Sequence, residues 1–279
     1  MKDILGLGKL SANSLEVINL VYPDVAQPGL KKVGQSLETV LELCNTILLP
    51  LKLVNSNANV FFNHHMEKYR KKMEDIPEEE LTVVHPSIGL KILDELLTVT
   101  NEDVSDLFVN LLTSASTKSG AKYAHPSFVE VIKNLGEDEA KIIIDIFHKE
   151  KIVKYVYLMK EDPQHGDVPL KDKINDISKL TSLIFEENSQ FYMENLMKLG
   201  IIEDTSVYML GEEDEFNSLE VLLKDNKEIY DNLIKQAQDK GEHKNLYISY
   251  RWGRYILNSY GESFVNSVTS KITNDSKTT

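Results

Sequence analysis

The sequence has little cysteine, tryptophan or proline: one, one and eight residues among 279. A single cysteine excludes a disulfide framework and is typical of a protein from a reducing compartment. That residue, Cys44, lies among leucine and isoleucine side chains at helical spacing, which predicts a buried structural thiol. The first residues lack the long apolar run and the cleavage site of a secretory signal, so we expect a cytoplasmic protein.

Basic charge is also scarce, because 44 Asp and Glu outnumber 31 Lys and Arg and leave a net charge of −13. Residues 1–60 carry five basic and five acidic side chains, so the net negative charge comes entirely from the later part of the chain. Such an acidic surface disfavours nucleic acid and anionic lipid as partners. The exception is a small basic cluster around the single tryptophan. We identify its members as candidate interaction residues: Lys244, Arg251, Arg254 and Trp252.

The one stretch that could concern a membrane lies between Leu43 and Met66. Its apolar part, residues 43–54, is too short to span a bilayer, which takes about 20 residues. Four asparagines follow within the stretch, and their transfer into hydrocarbon would be costly. Burial in a protein core is therefore expected, and insertion of residues 36–66 into a membrane stays an alternative.

Apolar residues recur three and four positions apart through most of the first half, which predicts a helical assembly. Two of its helices begin alike, at His85-Pro86-Ser87 and at His125-Pro126-Ser127-Phe128. Proline suits the first helical position because it loses no hydrogen bond there. We predict that both histidines serve the helix starts, as caps or in early-turn hydrogen bonds, and we single out residues 125–128 as a candidate motif.

The small polar residues 114–121 predict a flexible boundary, with a helical domain at 1–120 and a second domain at 121–279. In the second domain, β-branched and aromatic residues predict a strand at 152–158, with short strands at 201–202 and 246–248. Helices are predicted between these strands, at about 170–185, 189–199 and 217–239, and a final helix from Ser249 would carry Trp252, Tyr255, Ile256 and Phe264.

This order of elements is that of a winged helix with a helical insertion in the wing, at about residues 204–245. The predicted fold is therefore mainly α. It has a helical N-terminal part, followed by a winged-helix-like α+β part with a small antiparallel sheet.

Patterns that would define a catalytic or metal site are missing from the sequence. His64 and His65 are adjacent and point about 100° apart on a helix, so they do not serve one metal site without strain. Asp145 and His148 form a single pair, whereas a diiron bundle needs two such motifs. The sequence also has no nucleophile elbow and no phosphate-binding loop. We predict no catalytic residue, no cofactor and no metal, and a protein that is not an enzyme.

Several segments, in this order and spacing, resemble the abortive infection protein alpha (Abi-alpha) family of bacterial proteins. They are residues 22–34, the helix-breaking Leu48-Leu49-Pro50-Leu51, residues 106–112, residues 125–132 with 137–140, and residues 195–202. The resemblance implies a role in bacterial defence against phage, by arrest or death of the infected cell. It brings no established catalytic residues, so none is assigned.

The acidic chain, the missing catalytic pattern and this resemblance together predict a phage-defence component that acts by binding a protein partner of the host or the phage. A homo-oligomer is compatible with the same features. Two alternatives stay open: a nucleic-acid-binding regulator that uses the winged-helix part, and a membrane-active effector that uses residues 36–66.

Overall fold

A computed structural model of the chain shows a mainly helical protein with a small antiparallel sheet, as the sequence predicts. It describes residues 32–37, 39–40, 56–149, 152–170, 173–175, 177–206, 211–241 and 245–269. Cys44, Lys244 and residues 41–55 of the apolar stretch lie outside the described residues. Contacts divide the chain into two compact units: residues 1–140 with 262–279, which we call unit 1, and residues 141–261, which we call unit 2.

Among the described residues, the named elements before residue 152 are all helical, and the later part of the chain contains both strands and helices. The helices are α1 (Ser56–Glu74), α2 (Pro86–Leu96), α3 (Glu102–Ala115), α4 (Lys118–Ala121), α5 (Ser127–Lys133), α6 (Glu137–Ile142), α7 (Ile177–Leu180), α8 (Ser189–Lys198), α9 (Glu213–Glu220), α10 (Lys224–Asp239) and α11 (Ser259–Val268). The strands are β1 (Ile152–Glu161), β2 (Val168–Pro169), β3 (Ile174–Asn175), β4 (Ile202–Thr205) and β5 (Tyr247–Leu257). A π-helical turn, Ile143–Phe147, continues α6.

Unit 1 is helical because its sequence supplies apolar stripes and, at several helix starts, a side chain that caps the helix. The side-chain oxygen of Asn101 accepts a hydrogen bond from the Val104 N–H (3.0 Å) at the start of α3, and Thr117 does the same for Gly120 (3.0 Å) at α4. These caps satisfy backbone donors that have no partner inside the helix. The apolar face of α3 is fully buried, with Leu107, Phe108 and Leu112 at 1% exposure or less.

The stretch 114–121, which the sequence suggests is flexible, is an ordered helix end inside unit 1. Ser114 Oγ donates to the Ser267 carbonyl (2.7 Å), and Ser116 Oγ lies 2.6 Å from the buried Tyr69 hydroxyl. Small hydroxyl side chains allow close packing here and find partners in the core, so their low bulk and polarity do not mark a linker.

The sheet belongs to unit 2 and is antiparallel throughout, with strand order β2-β1-β5-β4 and β3 also paired to β1. Its longest strand pairing joins β1 and β5, from Ile152 opposite Ile256 to Glu161 opposite Tyr247. The helices α9 and α10 lie between β4 and β5 in the chain, where the sequence predicts a helical insertion.

Two predicted helices of unit 2 are wrong. Trp252, Tyr255 and Ile256 lie on β5, and the closing helix begins only at Ser259. Within the predicted helix at 170–185, residues 174–175 form β3 and only Ile177–Leu180 is helical among the described residues. Aromatic and β-branched residues dominate β5, and pairing with β1 satisfies its backbone along its whole length. The winged-helix arrangement is not confirmed.

The insertion helices cover one face of the β1–β5 pair. Val156 and Leu158 of β1 and Ile248 of β5 form a buried cluster with Leu219 and Leu223. From α10, Tyr230 and Ile234 pack against this cluster. This packing places charged residues of β1 and β5 next to the start of α9.

Candidate functional site

The arginines of the predicted basic cluster do not come together, because they lie three positions apart on a strand and therefore on opposite faces. The Arg251 guanidinium pairs with the buried Glu161 carboxylate (2.5 Å), which also accepts a hydrogen bond from Ser249 Oγ (2.5 Å). Arg254 is buried and pairs with Glu212 (3.4 Å). Both cations of β5 are thus engaged by carboxylates of the same unit. Lys244, the third member, lies outside the described residues.

Trp252 holds α9 on the sheet. Its ring stacks on Phe216 with centroids 5.0 Å apart and planes 6° from parallel, and its indole N–H donates to Glu220 (2.6 Å). Offset stacking and a satisfied indole N–H are the usual environment of a tryptophan that packs inside a protein. These contacts account for the residue without a ligand.

The segment His125-Pro126-Ser127-Phe128 forms the start of α5. The Nδ1 atom of His125 accepts from the Ser127 N–H (3.2 Å) and lies 2.7 Å from Ser127 Oγ. The same two contacts, at the same distances, join His85 and Ser87 at the start of α2. Phe128 is buried and packs edge-on against Phe264 (5.3 Å). The predicted hydrogen-bonding role of both histidines at the helix starts is confirmed.

The two adjacent histidines of α1 have separate partners. His64 contacts the Glu102 carboxylate (3.1 Å), whereas His65 is buried and contacts the Val99 carbonyl (3.1 Å). Among the described residues, no group of three or more His, Cys, Asp or Glu side chains is placed to hold a metal ion.

A feature that sequence reasoning missed is a charged cluster where α9 meets the sheet. Lys154 of β1 and Arg254 of β5 are direct partners in the strand register, and Glu212 lies 3.4 Å from the charged nitrogens of both. Glu215 also pairs with Lys154. Burial lowers the pKa of Lys154, but the Glu215 and Glu212 carboxylates outweigh that effect, and the pKa rises above its ordinary value.

A cavity of about 390 Å³ adjoins this cluster. Its lining combines the polar Lys154, Glu215 and Ser218 with an apolar wall: Ile152, Val153, Leu180 and Leu219. The only sequence signals for this site are a lysine inside an apolar strand and the acidic run at 212–215. Neither signal shows that the two segments meet, since 58 positions separate Lys154 from Glu212.

A second polar cluster lies around Tyr155 on the opposite face of β1. The Tyr155 hydroxyl donates to the Asp204 carboxylate (2.5 Å), and the Lys173 ammonium, which pairs with Asp204, lies 4.3 Å from the centre of the Tyr155 ring. Burial raises the pKa of Tyr155, and the hydrogen bond to the Asp204 carboxylate raises it further. The phenol therefore stays protonated at neutral pH and serves as a donor.

Unit 2 also exposes large apolar side chains. On α10, Ile229 and Leu233 are 58% and 55% exposed, and Leu222, which precedes the helix, is 51% exposed. A spacing of four residues places Ile229 and Leu233 on one side of α10. We call Ile229 and Leu233 the outer stripe. A second exposed group lies between α7 and the first turn of α8: Ile184, Phe185 and Phe191.

No described helix is both long enough and apolar enough to cross a membrane. The fold and these surfaces describe a mainly helical protein with a small antiparallel sheet and charged and apolar sites on unit 2.

Comparison with protein families identifies the chain. The family model for abortive infection alpha matches residues 61–268, which is most of the chain and includes both the helices of unit 1 and the sheet. The chain therefore belongs to the abortive infection alpha family, as its sequence motifs suggest. No curated protein and no solved structure shows a significant match.

Proposed function

We propose that this protein is a phage-defence component that acts by binding a protein partner through unit 2 and has no catalytic site of its own. Membership of the abortive infection alpha family implies a part in abortive infection in general terms. The finer mechanism rests on the surface of α10.

The outer stripe carries the proposal. Tyr230 and Ile234 of α10 pack on the sheet, whereas Ile229 and Leu233, one position earlier in each case, face solvent. Adjacent positions point about 100° apart, so the apolar side of α10 is wider than the part that the sheet covers. Exposed apolar side chains grouped on one side of a helix are typical of protein–protein interaction sites.

The charges of unit 2 favour a protein over a nucleic acid as the partner. The two arginines of β5 are each engaged by a carboxylate, and a nucleic-acid site needs several cations that face phosphate. The net charge of the chain, −13, opposes nucleic acid as well.

Two measurements test the proposal. Cells that carry the gene should plate at least some phages less efficiently than cells without it, across a broad phage panel; equal plating for every phage would contradict a defence role. In infected cells, cross-linking through a photoreactive residue at position 229 should trap a protein. The same residue at position 235, an exposed site about 120° around the same helix from position 229, should trap none.

A further inference from the structure

The strand register brings two cations together at the edge of the cavity. Like charges directly opposite each other weaken a strand pair unless a counter-charge lies close to both. Lys154 and Arg254 are such a pair, and Glu212 supplies one negative charge between them. All three side chains are largely buried, at 17%, 8% and 16% exposure. These three groups therefore carry one uncompensated positive charge.

Glu215 supplies the missing negative charge, but from a different kind of position. Its side chain is 64% exposed and reaches Lys154 from the first turn of α9. An exposed ion pair contributes little to stability, about 0–1 kcal/mol. The Glu215 carboxylate can therefore leave Lys154 at small cost, whereas Glu212 and the two cations cannot leave their buried places.

A second observation is an unused donor in the cluster. The Nε atom of Arg254 is buried and has no hydrogen-bond partner in the described part of the chain. Buried donors are normally satisfied, so the described residues leave one donor of the cluster without an acceptor.

The cavity beside Lys154 has the volume of a small-molecule site. Its volume of about 390 Å³ falls within the usual range for small-molecule pockets, about 300–1,000 Å³. Leu180 and Leu219 provide an apolar wall, and Lys154 and Ser218 provide polar groups. Such pockets typically hold an apolar body and orient it through a few polar contacts.

We propose that this cavity binds a small organic anion, whose carboxylate or phosphate group pairs with Lys154 in place of Glu215 and whose apolar body packs on Leu180 and Leu219. A cationic ligand is not expected in this cavity, because it would have to displace the buried Lys154 from two carboxylates. This site is independent of the outer stripe and goes beyond the proposed defence role.

The test uses the full chain and four probes: hexanoate, hexyl phosphate, 1-hexanol and inorganic phosphate, titrated by protein-observed NMR. Hexanoate, hexyl phosphate or both should bind, and whichever binds identifies the anionic group. Binding by neither, or equally tight binding of 1-hexanol, would overturn the proposal. Inorganic phosphate should bind more weakly than the alkyl anion that binds; equal affinity would also overturn it.

Three variants localise the site. Glu215→Gln removes the competing carboxylate and should tighten binding of the alkyl anion by about fivefold, the scale of an exposed ion pair. Asp214→Asn makes the same charge change one position away and should alter affinity far less. Equal tightening in both variants would contradict the proposal, because it would indicate a general effect of net charge.

Lys154→Met should abolish binding. Because loss of a buried charge also stresses the fold, Leu180→Trp provides a second variant, which fills the cavity from its partly exposed rim and leaves every charge in place. It should also abolish binding. Retained binding in folded Leu180→Trp would overturn the site.

Discussion

Lys154 and Arg254 lie directly opposite each other on β1 and β5, and a single carboxylate, that of Glu212, is 3.4 Å from the charged nitrogens of both. Glu212 immediately precedes α9, so this contact ties the insertion helices to the sheet by charge, while Trp252 ties them by packing. The arrangement depends on three segments far apart in the chain and has consequences for stability.

Replacement of Glu212 by glutamine should lower the free energy of unfolding by about 1–3 kcal/mol, because it leaves two buried cations in register without their shared counter-charge. Urea denaturation measures the change. Asp214→Asn is the matched control on the solvent side of α9 and should stay within about 0.5 kcal/mol of the parent. Similar losses in the two variants would contradict a specific role for Glu212.

A side chain at position 253 should destabilise the protein. Gly253 is the register partner of Tyr155, and a Cβ atom at this position would lie 2.2 Å from the Tyr155 hydroxyl oxygen. We expect Gly253→Ala to destabilise the protein by about 1–3 kcal/mol, the usual cost of overpacking. In a Tyr155→Leu background the same change should cost less, and a double-mutant cycle from thermal unfolding measures that coupling. Strict additivity would show that the two residues do not meet.

His125→Ala should act on stability alone. Loss of the side-chain acceptor for the Ser127 N–H removes a hydrogen bond at the start of α5, which is worth about 1 kcal/mol. His85→Ala should cost a similar amount, because His85 makes the same contact with Ser87. Denaturation midpoints measure both changes. If His125→Ala, expressed at the level of the parent, removed phage protection while His85→Ala did not, His125 would have a role beyond this hydrogen bond.

Buried His65 should make the stability of the protein fall in mild acid. Burial lowers its pKa, and the charges of Lys68 and His64 lower it further; the hydrogen bond to the Val99 carbonyl and the charge of Glu102 oppose these effects only in part. In the unfolded chain the pKa returns to about 6.5. Between these two pKa values the unfolded state binds more protons, so stability is greatest above about pH 6.5 and declines as the pH drops towards the pKa of the folded state.

Comparison of the parent with His65→Gln tests whether His65 causes this loss of stability in mild acid. Urea midpoints of the parent should decrease from about pH 7.5 to pH 5 more steeply than those of the variant, whose amide can still donate to Val99 but does not titrate. Parallel profiles would mean that other groups cause the pH dependence.

Local signals predicted the helices of unit 1 well, and non-local pairing explains the failures in unit 2. Proline and the capping histidine mark the start of α2 within the sequence itself, as do the residues before α5. In contrast, Trp252, Tyr255 and Ile256 have spacings that suit either a helix or a strand, and only their pairing with β1 decides between the two. The candidate anion site could not be predicted for the same reason, because Lys154 and Glu212 meet only after the sheet and the insertion have formed.

Phage plating with variants of the outer stripe tests the central claim most directly. The parent, Ile229→Ser/Leu233→Ser and the matched control Glu228→Ser/Lys235→Ser should be expressed at equal levels with equal helix content, because all four positions are exposed on α10 and the control pair lies about 100–120° around the helix from Ile229. We predict that the control protects cells as the parent does, whereas the stripe variant restores plating by at least about tenfold, as expected when interface anchors are removed. Full protection by the stripe variant would contradict the account that this protein defends cells through a partner bound at α10.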